Sequence, residues 1–258
     1  MASGILLLCV GSYTRLSPWL TQGKKVYTSR FRFGANSDSG DACGVITPVE
    51  GATTPSREAV EAALEPLRGA IQQVPPAFSA VKVNGVPAYA LARKNKEVTL
   101  AARQVTVYAF EVVSYEYPDL DVRVECSAGT YIRSLAMDLG SALGCGAYLT
   151  QLRRVRLGGV DIAGTHTMDR LESTVPEDGI GPFWLHPKDA LENLPALELS
   201  GPALTRIDHG NAVETALPEG VEVDQEVAVY NDDGRLCAVA RALEGGVKPL
   251  KVFPADSG

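Results

Sequence analysis

The chain has 258 residues, of which 45% are hydrophobic and 21% charged, and its net charge is −7. This length suffices for one large domain, or for a main domain with a small one, and the composition excludes a disordered chain. Five scattered cysteines without a Cys-x-x-Cys pair exclude a disulfide framework and a zinc site, and they favour a reducing compartment.

The first notable feature is the apolar run Ile5–Val10, which no lysine or arginine precedes, since the first basic residue is Arg15. A secretory signal needs a positively charged start, and a membrane span needs about 20 apolar residues. We therefore expect the run to be buried inside a globular fold, in a cytoplasmic protein that has no membrane partner.

The segment Lys24–Gly34 alternates between apolar and polar residues, which predicts a half-buried strand. One face would carry aromatic side chains and the other arginines (Tyr27, Phe31 and Phe33 against Arg30 and Arg32). Further along, Thr54-Pro55 predicts the start of a helix that Gly69 ends.

Residues 76–104 are rich in proline and glycine, have poor periodicity and carry five basic side chains: Lys82, Arg93, Lys94, Lys96 and Arg103. This pattern predicts a protruding excursion from the main fold.

The next segments, Val105–Val113 and Val122–Cys126, are predicted to be paired strands. A Gly-Thr turn and a helix with an apolar stripe follow them. Thr130 is the predicted N-cap of this helix, so Tyr131 and Arg133 would lie in its first turn.

The last unit follows proline-containing linkers around residues 182–195. There, "EVAVYNDDGRLCAVARA" predicts a hairpin across residues 231–234, and another strand follows at Val247–Phe253. A small all-β unit is therefore expected at the C-terminal end.

The charge is distributed unevenly along the chain. Residues 1–75 carry 7 basic and 6 acidic groups, residues 76–157 carry 10 and 7, and residues 158–258 carry 7 and 18. A polyanion would meet the first two-thirds, because phosphate contacts depend on local lysine and arginine. On charge alone, the alternative that the acidic third only aids solubility remains open.

Familiar catalytic signatures are missing: the sequence has no G-x-G-x-x-G, P-loop, H-E-x-x-H or G-x-S-x-G. One constellation remains, Tyr27 on a strand together with the strand-to-helix turn Gly129–Arg133. An arginine beside a helix N-terminus and a nearby tyrosine can hold an anion and a planar ring together. A packed tyrosine and a solvated arginine would explain the same residues without any function.

Three stretches favour the functional interpretation of Tyr27 and Arg133: "FGANSDSGDACG", "RGAIQQVPPAFSAVKVNGVPAYALAR" and "CSAGTYIRSLAMDLGSALGCGAYLTQLRR". In this order they resemble signature stretches of the bacterial tRNA pseudouridine-55 synthase (TruB) family. The tail resembles the family's PUA-like module more loosely. The resemblance implies an α+β, mixed-sheet pseudouridine synthase catalytic fold at residues 1–190. It also implies a thumb at about 76–104 and a small all-β PUA-like domain at 191–258.

The resemblance further implies that the protein isomerises one T-loop uridine of tRNA to pseudouridine. It is expected to act as a monomer, to need no cofactor or metal, and not to bind DNA. Tyr27 would stack on the flipped base, and Arg133 would pair with a nucleophilic aspartate. Tyr131 and Leu152 would line the pocket, and the thumb residues Lys82, Arg93 and Lys94 would contact the RNA. Two departures from the family pattern, Tyr148 in place of histidine and Ser37 and Ser39 in place of threonines, are expected not to touch the pocket core.

The beginning of the chain bears on activity. Ala2-Ser3-Gly4 matches the end of the family's catalytic loop, G-x-x-D-P-x-A-x-G, with Met1 at the preceding variable position. The nucleophilic aspartate would then lie two residues before Met1. The catalytic fold is therefore expected to be incomplete at its N-terminus, through a misplaced start or a natural shortening, and the chain as given is expected to be inactive. The alternative is a non-catalytic protein that binds tRNA and helps it fold.

Overall fold

A computed structural model of the protein describes residues 2–83, 85–92 and 100–254. The chain divides into two compact units. Unit 1 consists of Met1–Ile5 and Lys24–Leu157, and unit 2 of Leu6–Gly23 and Gly158–Gly258. The predicted division into domains at residues 1–190 and 191–258 stays a prediction.

The strands are β1 Ala2–Gly4, β2 Lys25–Phe33, β3 Ala35–Ser37, β4 Ile46–Pro48, β5 Gly69–Gln73, β6 Lys82–Val83, β7 Val86–Pro87, β8 Arg103–Glu116, β9 Asp119–Cys126, β10 Ala147–Leu157, β11 Val160–Asp161, β12 Ala196–Glu198, β13 Val213–Glu214, β14 Glu226–Tyr230, β15 Leu236–Leu243 and β16 Gly246–Val252. The α-helices are α1 Ser17–Leu20, α2 Arg57–Leu64, α3 Ala88–Ala92, α4 Ile132–Ala142, α5 Met168–Asp178, α6 Pro187–Ala190 and α7 Gly201–Asp208. Among the described helices, none has the length and apolar character that a membrane crossing requires.

The main sheet of unit 1 has the strand order β1-β10-β2-β9-β8-β5. Strand β1 pairs parallel to β10, and the other neighbours in this order are antiparallel. The predicted mixed sheet and α+β class are confirmed, and so is the predicted pairing of the strands that became β8 and β9.

One face of this sheet packs against helices α2 and α4 to form the core of unit 1. The predicted alternation of β2 is confirmed, because Phe31 and Phe33 are buried in that core. On the other face, Arg30 and Arg32 make bidentate ion pairs with aspartates of β9, with shortest distances of 2.7 and 2.8 Å. The strand therefore separates an apolar core face from a charged face.

Both predicted helices exist, but each begins later than expected. Helix α2 has Ser56 as its N-cap, whose Oγ accepts the Ala59 N–H at 3.2 Å. For α4, the prediction of Thr130 as N-cap is wrong, since the N-cap is Tyr131 and its side chain makes no capping bond. Thr130 belongs to the preceding turn, where its N–H donates to the Ser127 carbonyl.

Unit 2 contains a five-stranded sheet with the order β12-β14-β15-β16-β13. The predicted hairpin is confirmed as β14 and β15, which pair antiparallel, and β16 continues the meander. Apolar side chains of these strands and of α7 form a core within this unit, including Val227, Val229, Ala238, Ala240 and Ile207.

Within the apolar run Ile5–Val10, only Ile5 is buried. Ile5 is buried, whereas Leu6 and Leu8 are 74% and 68% exposed. Strand β1 ends at Gly4, so these side chains lie beyond the main sheet. Residues 6–10 instead form one wall of an apolar cavity of about 250 Å³ within unit 2, opposite residues such as His166 and Phe183.

Candidate active site

Tyr27 lies near the start of β2, on the core face of the main sheet, and its half-buried ring packs against the core of unit 1. Its cross-strand neighbours are Arg154 on β10 and Val124 on β9. Burial raises the pKa of Tyr27, an effect that the nearby Arg154 partly offsets. The phenol is therefore protonated at neutral pH and available as a hydrogen-bond donor.

Leu152 shares this face with Tyr27. It pairs with Ser29 of β2, two residues along the strand from Tyr27, and it also packs against the core of unit 1. Diagonal neighbours of this kind lie about 7–8 Å apart, within reach of an aromatic side chain. The sheet thus places two of the predicted pocket residues side by side.

Arg133 lies in the first turn of α4, and its guanidinium has three partners. Nη1 donates to the Ser39 carbonyl at 2.9 Å and to the Asp41 carboxylate at 3.1 Å, and Nη2 donates to the Phe78 carbonyl at 2.7 Å. The side chains of Arg133 and Asp41 are each 19% exposed. The guanidinium is therefore held in one orientation by a carboxylate and two main-chain oxygens.

Ser37 and Ser39 lie beside the Arg133 ion pair, and the expectation that they do not touch the pocket core stays a prediction. The Ser39 carbonyl binds Arg133 directly, and the Ser39 hydroxyl donates to Asp41 Oδ1 at 2.9 Å. The Ser37 hydroxyl donates to the Asp41 carbonyl at 2.6 Å. Short polar side chains are needed here because the loop folds back on its own carboxylate.

Asp41 is a site residue that the sequence patterns did not single out. Its Oδ1 accepts the Cys43 N–H at 3.0 Å, while Oδ2 faces Arg133. Its backbone forms a parallel bridge to Leu149 of β10, which docks the loop on the sheet. In the sequence, the stretch of residues 37–41, rich in aspartate and serine, was the only indication of this role. The partner of Asp41, Arg133, stands 92 residues further along the chain.

Tyr131 immediately precedes α4 with extended backbone angles, φ −101° and ψ 112°. Its N–H donates to Gln73 Oε1 at 2.8 Å, and its carbonyl accepts from Gln73 Nε2 at 3.1 Å. The guanidinium of Arg103 lies over the Tyr131 ring, 4.8 Å from its centre, and donates to the Gly129 carbonyl at 2.9 Å. Gln73 is a second residue that the sequence patterns missed. Its position at the end of a strand that pairs with β8 gave only a weak indication of a role in the site.

The predicted thumb residues are only partly described. Lys82 is exposed on β6, which pairs with β7 in a small hairpin that α3 follows. Arg93 and Lys94 lie outside the described residues. The roles predicted for all three therefore remain predictions.

Side chains that could ligate a metal are dispersed over the described part of the chain. Within residues 2–83, 85–92 and 100–254, no group of three or more histidine, cysteine, aspartate or glutamate side chains is placed to hold a metal ion. The candidate site itself contains the phenol of Tyr27, the ion pair of Arg133 with Asp41, and the side chains of Leu152 and Tyr131.

Comparison with known families gives two matches along this chain. Residues 1–132 match the model described as "TruB family pseudouridylate synthase (N terminal domain)". Residues 133–179 match the model described as "tRNA pseudouridylate synthase B C-terminal domain".

Similar proteins include tRNA pseudouridine synthase B of Cupriavidus metallidurans, 40% identical over 98% of this chain and 82% of that protein. The protein of the same name from Chromohalobacter salexigens is 38% identical over 100% of this chain and 83% of its own length.

Among solved structures, a chain of a Cbf5-Nop10-Gar1 complex is similar with a TM-score of 0.76 and 25% identity, covering 99% of this chain and 74% of that one. A chain of the archaeal box H/ACA sRNP Nop10-Cbf5 complex has a TM-score of 0.72 and 22% identity, covering 99% and 75%. The second likeness concerns the fold alone.

Proposed function

Because the chain belongs to the TruB family of pseudouridylate synthases, we propose that it acts on tRNA and isomerises a uridine of the T-loop to pseudouridine. One observation carries the proposal. The sheet brings Tyr27 and Leu152 together on its core face, and the same unit holds Arg133 in a fixed ion pair at the start of α4. The names of the similar proteins, which specify tRNA, support the choice of substrate.

The target base must leave the RNA stack before a side chain can reach it. Tyr27 then stacks on the flipped uracil, with Leu152 and Tyr131 as further walls of the pocket. In the reaction the bond from the ribose to N1 breaks, the uracil turns, and a bond from the ribose to C5 forms. The proton of C5 then leaves at the position next to Tyr27, and N1 gains a proton. Atoms and electrons balance within the nucleotide, so the proposal needs no cofactor.

Arg133 acts on the carboxylate that attacks the nucleoside. A guanidinium within hydrogen-bond reach keeps a carboxylate ionised and oriented. In the structure Arg133 already holds one carboxylate, that of Asp41, together with two carbonyl oxygens. This arrangement supports the proposal that Arg133 pairs with the nucleophilic aspartate and keeps its carboxylate ionised and oriented.

The partner in this proposal is the T-arm of tRNA, bound by a monomeric, cytoplasmic protein. The basic side chains of residues 76–157 supply the phosphate contacts, since these residues carry 10 basic and 7 acidic groups. Lys82, Arg93 and Lys94 belong to this surface.

The polypeptide of these 258 residues, assayed by itself, is proposed to be inactive. By the resemblance, the family's nucleophilic aspartate precedes the position of Met1. Asp41 is bound to Arg133, Ser39 and the Cys43 N–H, so its carboxylate is committed to the loop. Neither a phenol nor a guanidinium replaces a nucleophilic carboxylate.

The test compares three polypeptides on an unmodified tRNA T-arm with a pseudouridine assay. The first is the 258-residue chain, the second carries Asp-Pro directly before Met1, and the third carries Asn-Pro there as the matched control. Turnover is expected only with Asp-Pro. Turnover by the 258-residue chain itself would mean that the proposed inactivity is wrong.

Binding gives a second readout that does not depend on turnover. The T-arm with its target uridine should bind more tightly than the same RNA with an abasic nucleotide at that position. Equal binding of both would contradict a base pocket at Tyr27 and favour a protein that grips tRNA without catalysis.

A further inference from the structure

We propose that Gln73 is a positioning residue, which orients Tyr131 toward the bound nucleotide. The inference rests on the proposed function, because it assigns Tyr131 to the base pocket. It concerns a side chain that neither the motifs nor the charge pattern of the sequence singled out.

Gln73 ends β5 and is only 1% exposed. Its amide group makes both of its strong contacts with one residue, accepting the Tyr131 N–H at 2.8 Å and donating to the Tyr131 carbonyl at 3.1 Å. This reproduces with a side chain the pair of bonds by which one antiparallel strand holds another. Both peptide planes of Tyr131 are thereby fixed.

A simple helix cap would not do this. A serine, threonine or aspartate at an N-cap satisfies an N–H group at the start of the helix and leaves the preceding carbonyl unconstrained. At α4 the N-cap side chain makes no such bond. Gln73 instead fixes the residue that precedes the helix, and therefore the direction in which the Tyr131 ring leaves the backbone.

The ring of Tyr131 has a second support from the same strand pair. Gln73 is the register partner of Arg103 on β8, and the Arg103 guanidinium lies 4.8 Å from the centre of the Tyr131 ring. One side chain of the pair holds the backbone of Tyr131, and the other covers its ring.

The chain that follows Gln73 continues these interactions along α4. The Ser134 hydroxyl donates to the Val74 carbonyl at 2.9 Å, and Arg133 Nη2 donates to the Phe78 carbonyl at 2.7 Å. Residues 73–78 therefore line the first turn of the helix, and Gln73 is the buried end of that line. Without the Gln73 hydrogen bonds, Tyr131 would be able to turn, whereas the Arg133 guanidinium would keep its own partners, Ser39, Asp41 and Phe78.

The test uses Gln73→Met, which keeps the length of the side chain and removes both hydrogen bonds. The matched control is Gln72→Met, since Gln72 is the exposed neighbour on the same strand. Affinity is measured for the T-arm RNA with the target uridine and for the same RNA with an abasic nucleotide there. The ratio of the two affinities isolates recognition of the base.

The wild type and Gln72→Met should prefer the uridine RNA by roughly tenfold, as expected for one base stacked on an aromatic ring. For Gln73→Met this ratio should fall close to one, while affinity for the abasic RNA stays within about twofold. A merely structural role would lower both affinities together with the melting temperature and leave the ratio intact.

Gln73→Glu keeps the proposal testable if the methionine variant fails to fold. A protonated carboxyl has one donor and one acceptor, as the amide does, whereas the ionised form would repel the Tyr131 carbonyl. Burial raises the pKa of such a carboxyl above its usual value of about 4.3. The uridine preference should therefore be recovered at about pH 5 and lost at pH 8 in this variant, with little change in the wild type.

The outcomes separate the two proposals. If the wild type shows no uridine preference, the proposed function fails, and this inference fails with it. If the wild type discriminates and Gln73→Met discriminates equally well, or if Gln73→Glu shows no pH dependence, the role of Gln73 is wrong and the proposed function stands.

Discussion

The carboxylate of Asp41 lies 3.1 Å from the guanidinium of Arg133, in a pair that is mostly shielded from water. Each partner makes further hydrogen bonds, because Asp41 also accepts from the Cys43 N–H and Arg133 also donates to two carbonyls. The pair therefore docks the loop of residues 37–44 against helix α4, and it fixes the guanidinium before any substrate arrives.

We expect Asp41→Asn to lower the free energy of unfolding by about 1.5–3 kcal/mol, the range for hydrogen bonds that involve charged groups. The variant leaves a partly buried guanidinium without its counter-charge. Urea denaturation measures the change. Asp38→Asn is the control, since Asp38 is exposed and its single bond to the Val45 N–H can be kept by an amide oxygen. Equal decreases in the two variants would mean that the ion pair contributes nothing of its own.

Gly40→Ala should destabilise the fold and disturb Arg133. Gly40 has φ +75°, and a Cβ there would stand 2.8 Å from Met137 Sδ and 3.2 Å from Arg133 Cβ. Gly51→Ala is the control, because Gly51 has φ +71° and nothing within 4 Å of its would-be Cβ. Both variants carry the cost of a side chain at positive φ, about 1–2 kcal/mol. Crowding should cost Gly40→Ala roughly 1 kcal/mol more. Equal unfolding free energies would contradict the close approach.

The charged face of the sheet predicts a pH-dependent effect for Asp121→Asn. Hydrogen bonds from Arg30 hold the pKa of Asp121 below its usual value. A carboxyl whose pKa is lower in the folded state adds stability above its unfolded pKa of about 3.9. That stability is lost as the pH falls through the lower, folded value. The melting temperature of the variant should lie slightly below that of the wild type at pH 5–7, by no more than about 2 °C, because the pair is partly exposed.

The melting temperatures of the variant and the wild type should converge as the pH approaches 2. At pH 6, 1 M salt should reduce the difference between them. A difference that persists at pH 2 would assign the effect to packing rather than to charge.

Removal of the basic side chains of Lys82, Arg93 and Lys94 should weaken T-arm binding and flatten its salt dependence. The slope of log K against log salt should decrease by about 0.7–0.9 for each phosphate that is no longer neutralised. The control neutralises Arg241, Lys248 and Lys251, which are exposed on β15 and β16. Arg235 is unsuitable as a control because it donates to the Phe253 carbonyl within unit 2. A larger decrease in affinity for the control set would move the RNA surface to unit 2.

Local patterns in the sequence predicted much of this fold. The alternation of Tyr27, Phe31 and Phe33 located β2 and its core face, and the turn around residues 231–234 located the hairpin of β14 and β15. Such features depend on neighbours within one strand or one turn, so periodicity is sufficient to find them.

The interactions that organise the candidate site could not be predicted in this way. Asp41 and Arg133 are 92 residues apart, and Gln73 and Tyr131 are 58 apart. Only the folded sheet brings them together. The N-cap of α4 was misplaced as well: Thr130 has the right chemistry locally, but the helix begins one residue later, after Tyr131, whose N–H donates to the distant Gln73. The exposure of Leu6 and Leu8 could not be predicted from periodicity either, because hydrophobic residues do not reveal by themselves whether anything covers them.

The placement of the five thiols allows a fluorescent dye to be attached next to the candidate site. Cys126, Cys145 and Cys237 are buried, and burial raises their pKa values, that of Cys126 to about 11, so alkylating reagents should spare them in the native protein. Cys43 is exposed, and its N–H is bound to Asp41. Once Cys9, which is partly exposed, is replaced by serine, a single dye on Cys43 would sit at the edge of the Arg133 ion pair. Its emission would then report the arrival of an RNA in real time, without any change to the residues proposed to bind it.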